Sequence, residues 1–293
     1  MGSGAFTIRT VTRRLFAAAL TPLADGGESV DLDAVPGYMA FLAAGGVDGV
    51  LALGSTGEGI LLTVAERTRV LAAFIACGLP VIAHCGAQTT ADTVALAADA
   101  AAAGAAGVAV IGPPYFPLDD ESLLRHFTAA ARACAPVPFY VYEFERVSGY
   151  AVPPAVIGRL REAAPNLAGL KVSDTPFAKI EPYLIEGLDL FVGAEALIGQ
   201  GLAAGAAGAV SGLASAFPEV VAEAVRTADS QRAGELRALV ERYPRLAALK
   251  AIVADRGVAI GEDLRAPLRR LSADERRAVL ADVEAFLAGG WTG

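Results

Sequence analysis

Histidine, cysteine, tryptophan and net positive charge are all scarce in this chain of 293 residues. The two histidines are His84 and His126, and neither sits in an H-x-x-E-H or paired-cysteine spacing, so no metal centre is expected. They read instead as a packed strand histidine and a helix-surface histidine. The three cysteines, Cys77, Cys85 and Cys134, show no paired spacing. That argues against a disulfide framework and for buried thiols in a reducing, cytoplasmic setting. Charged residues make up 19% of the chain and sum to −8. The densest basic cluster, Arg265, Arg269, Arg270, Arg276 and Arg277, is interleaved with Asp263, Asp274 and Glu275. Nucleic acid and anionic membrane surfaces are therefore excluded as partners, because both need concentrated positive charge. No signal peptide is expected: the apolar run at 15–20 is shorter than a signal core of roughly 7–15 residues. Two longer apolar stretches, 94–116 and 191–218, are interrupted by glycine and do not read as membrane spans.

What the chain has is interior. Apolar residues reach 54%, much of it alanine, which is enough for one large core. Eight short apolar runs recur at 15–20, 49–53, 80–84, 107–111, 138–142, 167–171, 188–192 and 207–211. Each suits a parallel strand buried on both faces. Helix candidates lie between and after them at 31–44, 63–77, 91–103, 119–133, 153–163, 174–186, 195–204 and 217–228. Thr63 with Glu66 fits a capping box, Asp31 an N-cap, and Pro153-Pro154 a first helical turn. Strict alternation points to an α/β fold, a (β/α)8 TIM barrel, over residues 1–228. The other arrangement weighed, a doubly wound sheet, lacks its G-x-G-x-x-G fingerprint here. Residues 229–293 read as a C-terminal helical extension packed on the barrel, with helices at 231–253 and 273–287.

Barrel active sites sit at the C-terminal ends of the strands. Lys171 closes the sixth run. An apolar enclosure would lower its pKa and free the amine to attack a carbonyl, whereas a rim lysine would snorkel to water. Tyr142 ends the fifth run, where a phenol beside a lysine can shuttle protons or simply pack. Gly-Ser-Thr-Gly-Glu at 54–58 follows the second run. Its backbone N–H groups and the hydroxyls of Ser55 and Thr56 suit a carboxylate, with Gly57 allowing close approach. Gly193 with Glu195, and the 208–212 segment around Val210, end the seventh and eighth runs and are candidate substrate contacts or plain turns.

Taken together, Gly-Ser-Thr-Gly-Glu at 54–58, Pro-Pro-Tyr-Phe at 113–116, the strand-five tyrosine, Gly-Leu-Lys at 169–171 and Gly-Ala-Val-Ser-Gly at 208–212 resemble the dihydrodipicolinate synthase / N-acetylneuraminate lyase superfamily. The resemblance runs from about residue 15 to 218. It implies a Schiff-base aldolase or lyase: Lys171 condensing with pyruvate or another 2-oxo acid, Tyr142 and Thr56 relaying protons, Ser55 and Thr56 holding the carboxylate, and an aldehyde as second substrate. It also implies that Ser173 is a hydroxyl-bearing substrate position, that no metal or organic cofactor is needed, and that the chain forms a homodimer or homotetramer. A deoxy-sugar-acid dehydratase is a variant through the same lysine. A non-catalytic 2-oxo-acid-binding sensor is the rival from another class. Val147 stands where the lysine-synthesis enzymes carry an arginine, with Arg146 beside it. Tyr115 or Phe116 falls at the tyrosine those enzymes lend across a subunit interface. Both departures speak against 4-hydroxy-tetrahydrodipicolinate synthase activity. Ala196 and Gly212 replace sugar-contacting residues of the sialic-acid lyases. Glu143 and Glu145 read as solvent-facing, the alternative being that they face the acceptor.

Overall fold

The computed structural model describes residues 13–289. The strands are β1 (Arg14–Ala18), β2 (Gly49–Ala52), β3 (Val81–His84), β4 (Gly107–Ile111), β5 (Phe139–Glu143), β6 (Leu167–Val172), β7 (Asp189–Val192) and β8 (Gly208–Ser211). All pair in parallel, each with its sequence neighbours, and β8 closes on β1. This is a (β/α)8 barrel. Residues 1–12 and 290–293 of the expected barrel and extension lie outside the described residues.

Alternation along each strand sorts side chains into two layers. Inward, Phe16, Leu51, Ile82, Ala109, Tyr140, Phe191 and Val210 fill the barrel. Phe16 and Tyr140 meet Phe191 edge-on at 5.5 and 6.0 Å between ring centroids. This packed layer is the floor on which the strand-end residues stand. Outward, Val50, Val108, Val141 and Leu170 pack under the helices. An Arg14–Asp189 ion pair joins the starts of β1 and β7 at the opposite end.

The helices are α1 (Val35–Ala44), α2 (Val64–Ile75), α3 (Thr90–Ala102), α4 (Asp120–Cys134), α5 (Pro154–Ala163), α6 (Ile198–Ala203) and α7 (Pro218–Thr227), followed by α8 (Gln231–Val240), α9 (Arg245–Asp255) and α10 (Ala273–Leu287). Thr63 and Glu66 form the expected capping box at α2, with Thr63 Oγ1 accepting from Glu66 N at 3.2 Å. Pro154 opens α5 as its first residue. Asp31 does not cap α1 directly; it accepts the N–H of Ala34, the residue before the helix, at 3.2 Å. Among the described residues no helix is long and apolar enough to cross a membrane.

Two helix expectations need correction. The 174–186 segment forms two 3-10 turns, Phe177–Lys179 and Glu181–Tyr183, instead of a helix. Pro176 and Pro182 remove backbone donors there and constrain the preceding residues. The 231–253 helix is two helices, because Pro244 cannot continue α8 and instead precedes α9.

The C-terminal helices also reach back to the barrel mouth. Lys250 of α9 is fully buried and donates to Glu58 Oε1 at 2.6 Å and to the Asp263 carbonyl at 2.5 Å. Glu58 Oε2 accepts from Arg265 N at 2.8 Å. Glu58 itself adopts a left-handed backbone, φ 56°. That conformation is costly for a residue with a Cβ, so the surrounding bonds must hold it. The 54–58 loop is thus clamped by a segment nearly two hundred residues away in sequence.

Candidate active site

Lys171 and Tyr142 lie on adjacent strands in direct register. Both point inward one layer above the floor, since Tyr140 and Gly169 occupy the positions two residues earlier. Lys171 is 7% exposed and Tyr142 is 2% exposed, so both belong to the interior. The Lys171 Nζ stands 3.5 Å from the centroid of the Tyr142 ring. The Tyr142 hydroxyl lies 3.3 Å from Ser55 Oγ on the β2 loop. Phe144 stacks on the same ring, with 6.2 Å between centroids.

Burial holds the Lys171 ammonium below its ordinary pKa, opposed by the nearby Tyr142 and aided by Arg245. Burial, the largest single effect, would raise the Tyr142 phenol, but the Lys171 charge and the hydrogen-bonding groups around the hydroxyl together turn the net direction downward. An amine and a phenol in contact, both held below their ordinary pKa, can exchange a proton directly. That is the chemical core of the site.

A cavity of about 800 Å³ opens above this pair. Ser55, Thr56, Tyr142, Lys171, Ser173, Gly193 and Glu195 all line it, so seven of the expected site residues converge. Gly57 and Val210 do not. Gly57 packs behind the loop, its carbonyl accepting from Thr21 Oγ1 at 2.6 Å. Val210 belongs to the floor, because on β8 the position that reaches the mouth is two residues later, at Gly212.

Two glycines leave room for close approach. A Cβ at Gly193 would lie 2.1 Å from Ser173 Oγ and 3.1 Å from Lys171 Cε. A Cβ at Gly212 would lie 3.1 Å from Arg245 Nη1 and 3.2 Å from Thr56 Oγ1. Ser173 Oγ is buried and has no hydrogen-bond partner, which leaves a polar atom beside Lys171 for a ligand to satisfy.

Glu195 is buried and fully engaged. Its Oε1 accepts from Ser211 Oγ at 2.7 Å and Leu213 N at 2.9 Å, and its Oε2 from Arg237 Nη1 at 2.9 Å. Burial would raise its pKa, but Arg237 and these donors hold it below the ordinary carboxylate range. Arg237 and Arg245, from α8 and α9, complete the wall. Sequence reasoning missed both. Their signal was one arginine four residues to either side of Glu241, which also describes an ordinary solvated helix face.

The β5–α5 loop differs from expectation. Glu143 neither faces solvent nor lines the cavity: it is buried, accepts from Val152 N at 2.9 Å, and burial pushes its pKa up to about 8. Glu145 lines the rim and pairs with Lys179 at 2.6 Å. Asp174 holds the loop by accepting from Glu145 N at 2.8 Å and from Arg146 N at 3.4 Å. Val147, 44% exposed, lines the rim beside Arg146.

The histidines and thiols are also partly corrected. His84 is packed as expected, with Nδ1 3.1 Å from the Leu53 carbonyl and its ring edge-on to Tyr142. Burial, then Arg67, pushes its pKa down to about 3, so it is neutral. His126 is buried between α3 and α4, not at the surface, with Nδ1 2.9 Å from Thr90 Oγ1. Cys85 and Cys134 are buried, but Cys77 is only half-buried because α2 has ended beside it.

Comparison with known proteins places these features in context. Residues 11–286 match the model of the Dihydrodipicolinate synthetase family. An uncharacterized DapA-like lyase of Halobacterium salinarum is 37% identical over 278 residues, covering 88% of this chain and 89% of that protein. A 4-hydroxy-tetrahydrodipicolinate synthase of a Synechococcus species is 32% identical over 282 residues, covering 91% and 92%. Among solved structures, the Proteus mirabilis N-acetylneuraminate lyase superposes with a TM-score of 0.84 at 30% identity, covering 94% and 98%.

Proposed function

Because this chain belongs to the Dihydrodipicolinate synthetase family, whose members are lyases and synthases of one type, we propose that it is a Schiff-base aldolase or lyase acting on pyruvate or a related 2-oxo acid. The observation that carries the reading is the enclosed Lys171 amine, 3.5 Å from the Tyr142 ring. Neutral Lys171 attacks the keto carbon of the 2-oxo acid. A proton delivered through Tyr142 to the resulting hydroxyl lets water leave, forming the iminium. Loss of a proton from the adjacent methyl gives an enamine, which adds to the carbonyl carbon of an aldehyde. Hydrolysis then frees the lysine. Run in reverse, the same steps cleave an aldol. Ser55 and Thr56 would hold the donor carboxylate, with Thr56 joining the proton relay. Ser173, Gly193 and Glu195 would border the rest of the substrate, and Gly57 supports the loop from behind.

Borohydride reduction in the presence of pyruvate tests this. One reduced pyruvyl group on Lys171, seen by intact mass and lost in Lys171→Ala, is the expected result. Absence of the adduct at saturating pyruvate would identify a binding protein and overturn the catalytic reading.

We further propose self-association into a dimer or tetramer. Tyr115 and Phe116 support it: they are 83% and 69% exposed and stack edge-on at 4.8 Å, an apolar patch that suits a second copy. Sedimentation of Tyr115→Ser/Phe116→Ser against the parent chain would show the loss of that association. A cytoplasmic location fits the three unbridged thiols.

A further inference from the structure

The donor end of the cavity is small and crowded by Lys171, Tyr142 and Ser55, whereas the whole cavity measures about 800 Å³. A three-carbon acid fills only a fraction of that space. The remainder must take the second reactant, and its wall is set by what side-chain groups remain uncommitted there.

The carboxylates are committed. Glu195 has both oxygens occupied, and Glu241 accepts from Arg237 Nη2 at 2.6 Å. Asp174 is occupied by two backbone donors and Glu145 by Lys179. Glu195 and Asp174 are thus engaged through both oxygens, while Glu145 and Glu241 sit at the exposed rim with one oxygen each in an ion pair. Arg245 differs. Its guanidinium lines the cavity over Gly212, across from Thr56, and among the described residues it forms no hydrogen bond or ion pair. Arg146, the other lining arginine with no ion pair, is exposed at the rim with its guanidinium over the Phe144 ring, whereas Arg245 is partly buried beside Thr56. Burial and the adjacent Arg237 both disfavour its charged form. Guanidinium stays protonated in proteins regardless. A half-buried cation with free donors facing the cavity and no acceptor in contact favours an anion there. The planar fork of N–H groups matches a carboxylate or phosphate in bidentate fashion.

We propose that Arg245 is the specificity-determining residue for an acidic second reactant: the aldehyde used or released by this enzyme carries a carboxylate or phosphate group, which the Arg245 guanidinium binds. This rests on the Schiff-base reading for the identity of the reaction, but the anion site itself does not.

The test compares the full-length protein with Arg245→Gln and Arg245→Lys. Pyruvate condensation is measured with glyceraldehyde 3-phosphate, succinic semialdehyde and uncharged glyceraldehyde. The parent enzyme should favour one anionic aldehyde, and the phosphate and carboxylate arms show which. In R245Q the ratio of kcat/KM for that aldehyde to kcat/KM for glyceraldehyde should fall about 10- to 100-fold, the loss expected for a charge-assisted pair. R245K should recover part of it. A parent enzyme that uses glyceraldehyde as well as either anion would overturn the proposal. So would a rise confined to the KM for pyruvate in R245Q, which would assign Arg245 to the donor. Borohydride trapping of pyruvate on the same proteins reports on the Schiff-base reading separately. Should that reading fail, calorimetric titration with glycerol 3-phosphate and succinate still reads the anion site: binding lost in R245Q supports it, and no binding to the parent protein refutes it.

Discussion

Replacing Gly193 by alanine tests whether the Lys171 amine is held in place or is merely nearby. The new methyl carbon would lie 2.1 Å from Ser173 Oγ, 3.0 Å from Ser173 Cβ and 3.1 Å from Lys171 Cε. The hydroxyl must rotate away, and the lysine stem must retreat by a few tenths of an ångström. A reacting group displaced by about 1 Å loses roughly 100-fold in rate, so a smaller shift should slow imine formation by about 10-fold or somewhat more. That corresponds to roughly 1.4 kcal/mol or slightly above in activation free energy. Overpacking should also lower folding stability by about 1–3 kcal/mol. The assay is the time course of borohydride-trapped pyruvate on Lys171, with urea unfolding of the same samples. Ser173→Gly removes the two closest atoms but leaves the contact with Lys171 Cε, so the double variant S173G/G193A should recover folding stability while still trapping pyruvate more slowly than S173G alone. A G193A protein that traps pyruvate at the parent rate would refute the reasoning, because the amine would then tolerate displacement.

Three further outcomes are expected. Tyr142→Phe, which keeps the ring over Lys171 and removes the hydroxyl, should slow turnover by about 100- to 10,000-fold while leaving urea stability nearly unchanged, since proton transfer is lost and packing is not. Lys250→Met strands the buried Glu58 carboxylate and should cost about 3–5 kcal/mol in urea unfolding; a loss below 1 kcal/mol would show that the clamp on the 54–58 loop is unimportant. Glu143, whose folded pKa is raised to about 8, retains its proton in the native state where the unfolded chain has released it. Its stabilising contribution is therefore complete below the ordinary glutamate pKa and is lost as pH rises through about 8. The urea midpoint of the parent protein should fall across that window and that of Glu143→Gln should fall less; parallel curves would contradict the burial argument.

The barrel was legible because its signals are local. Parallel strands buried on both faces appear as apolar runs, and the period-two alternation that puts Tyr140 and Tyr142 on one face acts within a single strand. Lys171 was conspicuous because a lysine ending an apolar run is unusual in itself. The same reasoning failed at Val210, where it located the strand end but not how deep the residue lies within the barrel. It failed at Glu143 because whether a strand-end carboxylate faces outward or turns under a loop depends on the loop, here on the Val152 N–H.

Sequence by itself determined the eight strands and the helices between most of them, the strand ends that converge, and the amine, phenol and hydroxyls those ends carry. Tertiary structure alone decided that α8 and α9 swing back over the mouth to deliver Arg237 and Arg245, that Lys250 clamps Glu58, and which carboxylates are already paired. The reason is range: periodicity and capping act over one or two turns, whereas charge pairing and desolvation depend on which distant segments share a low-dielectric space.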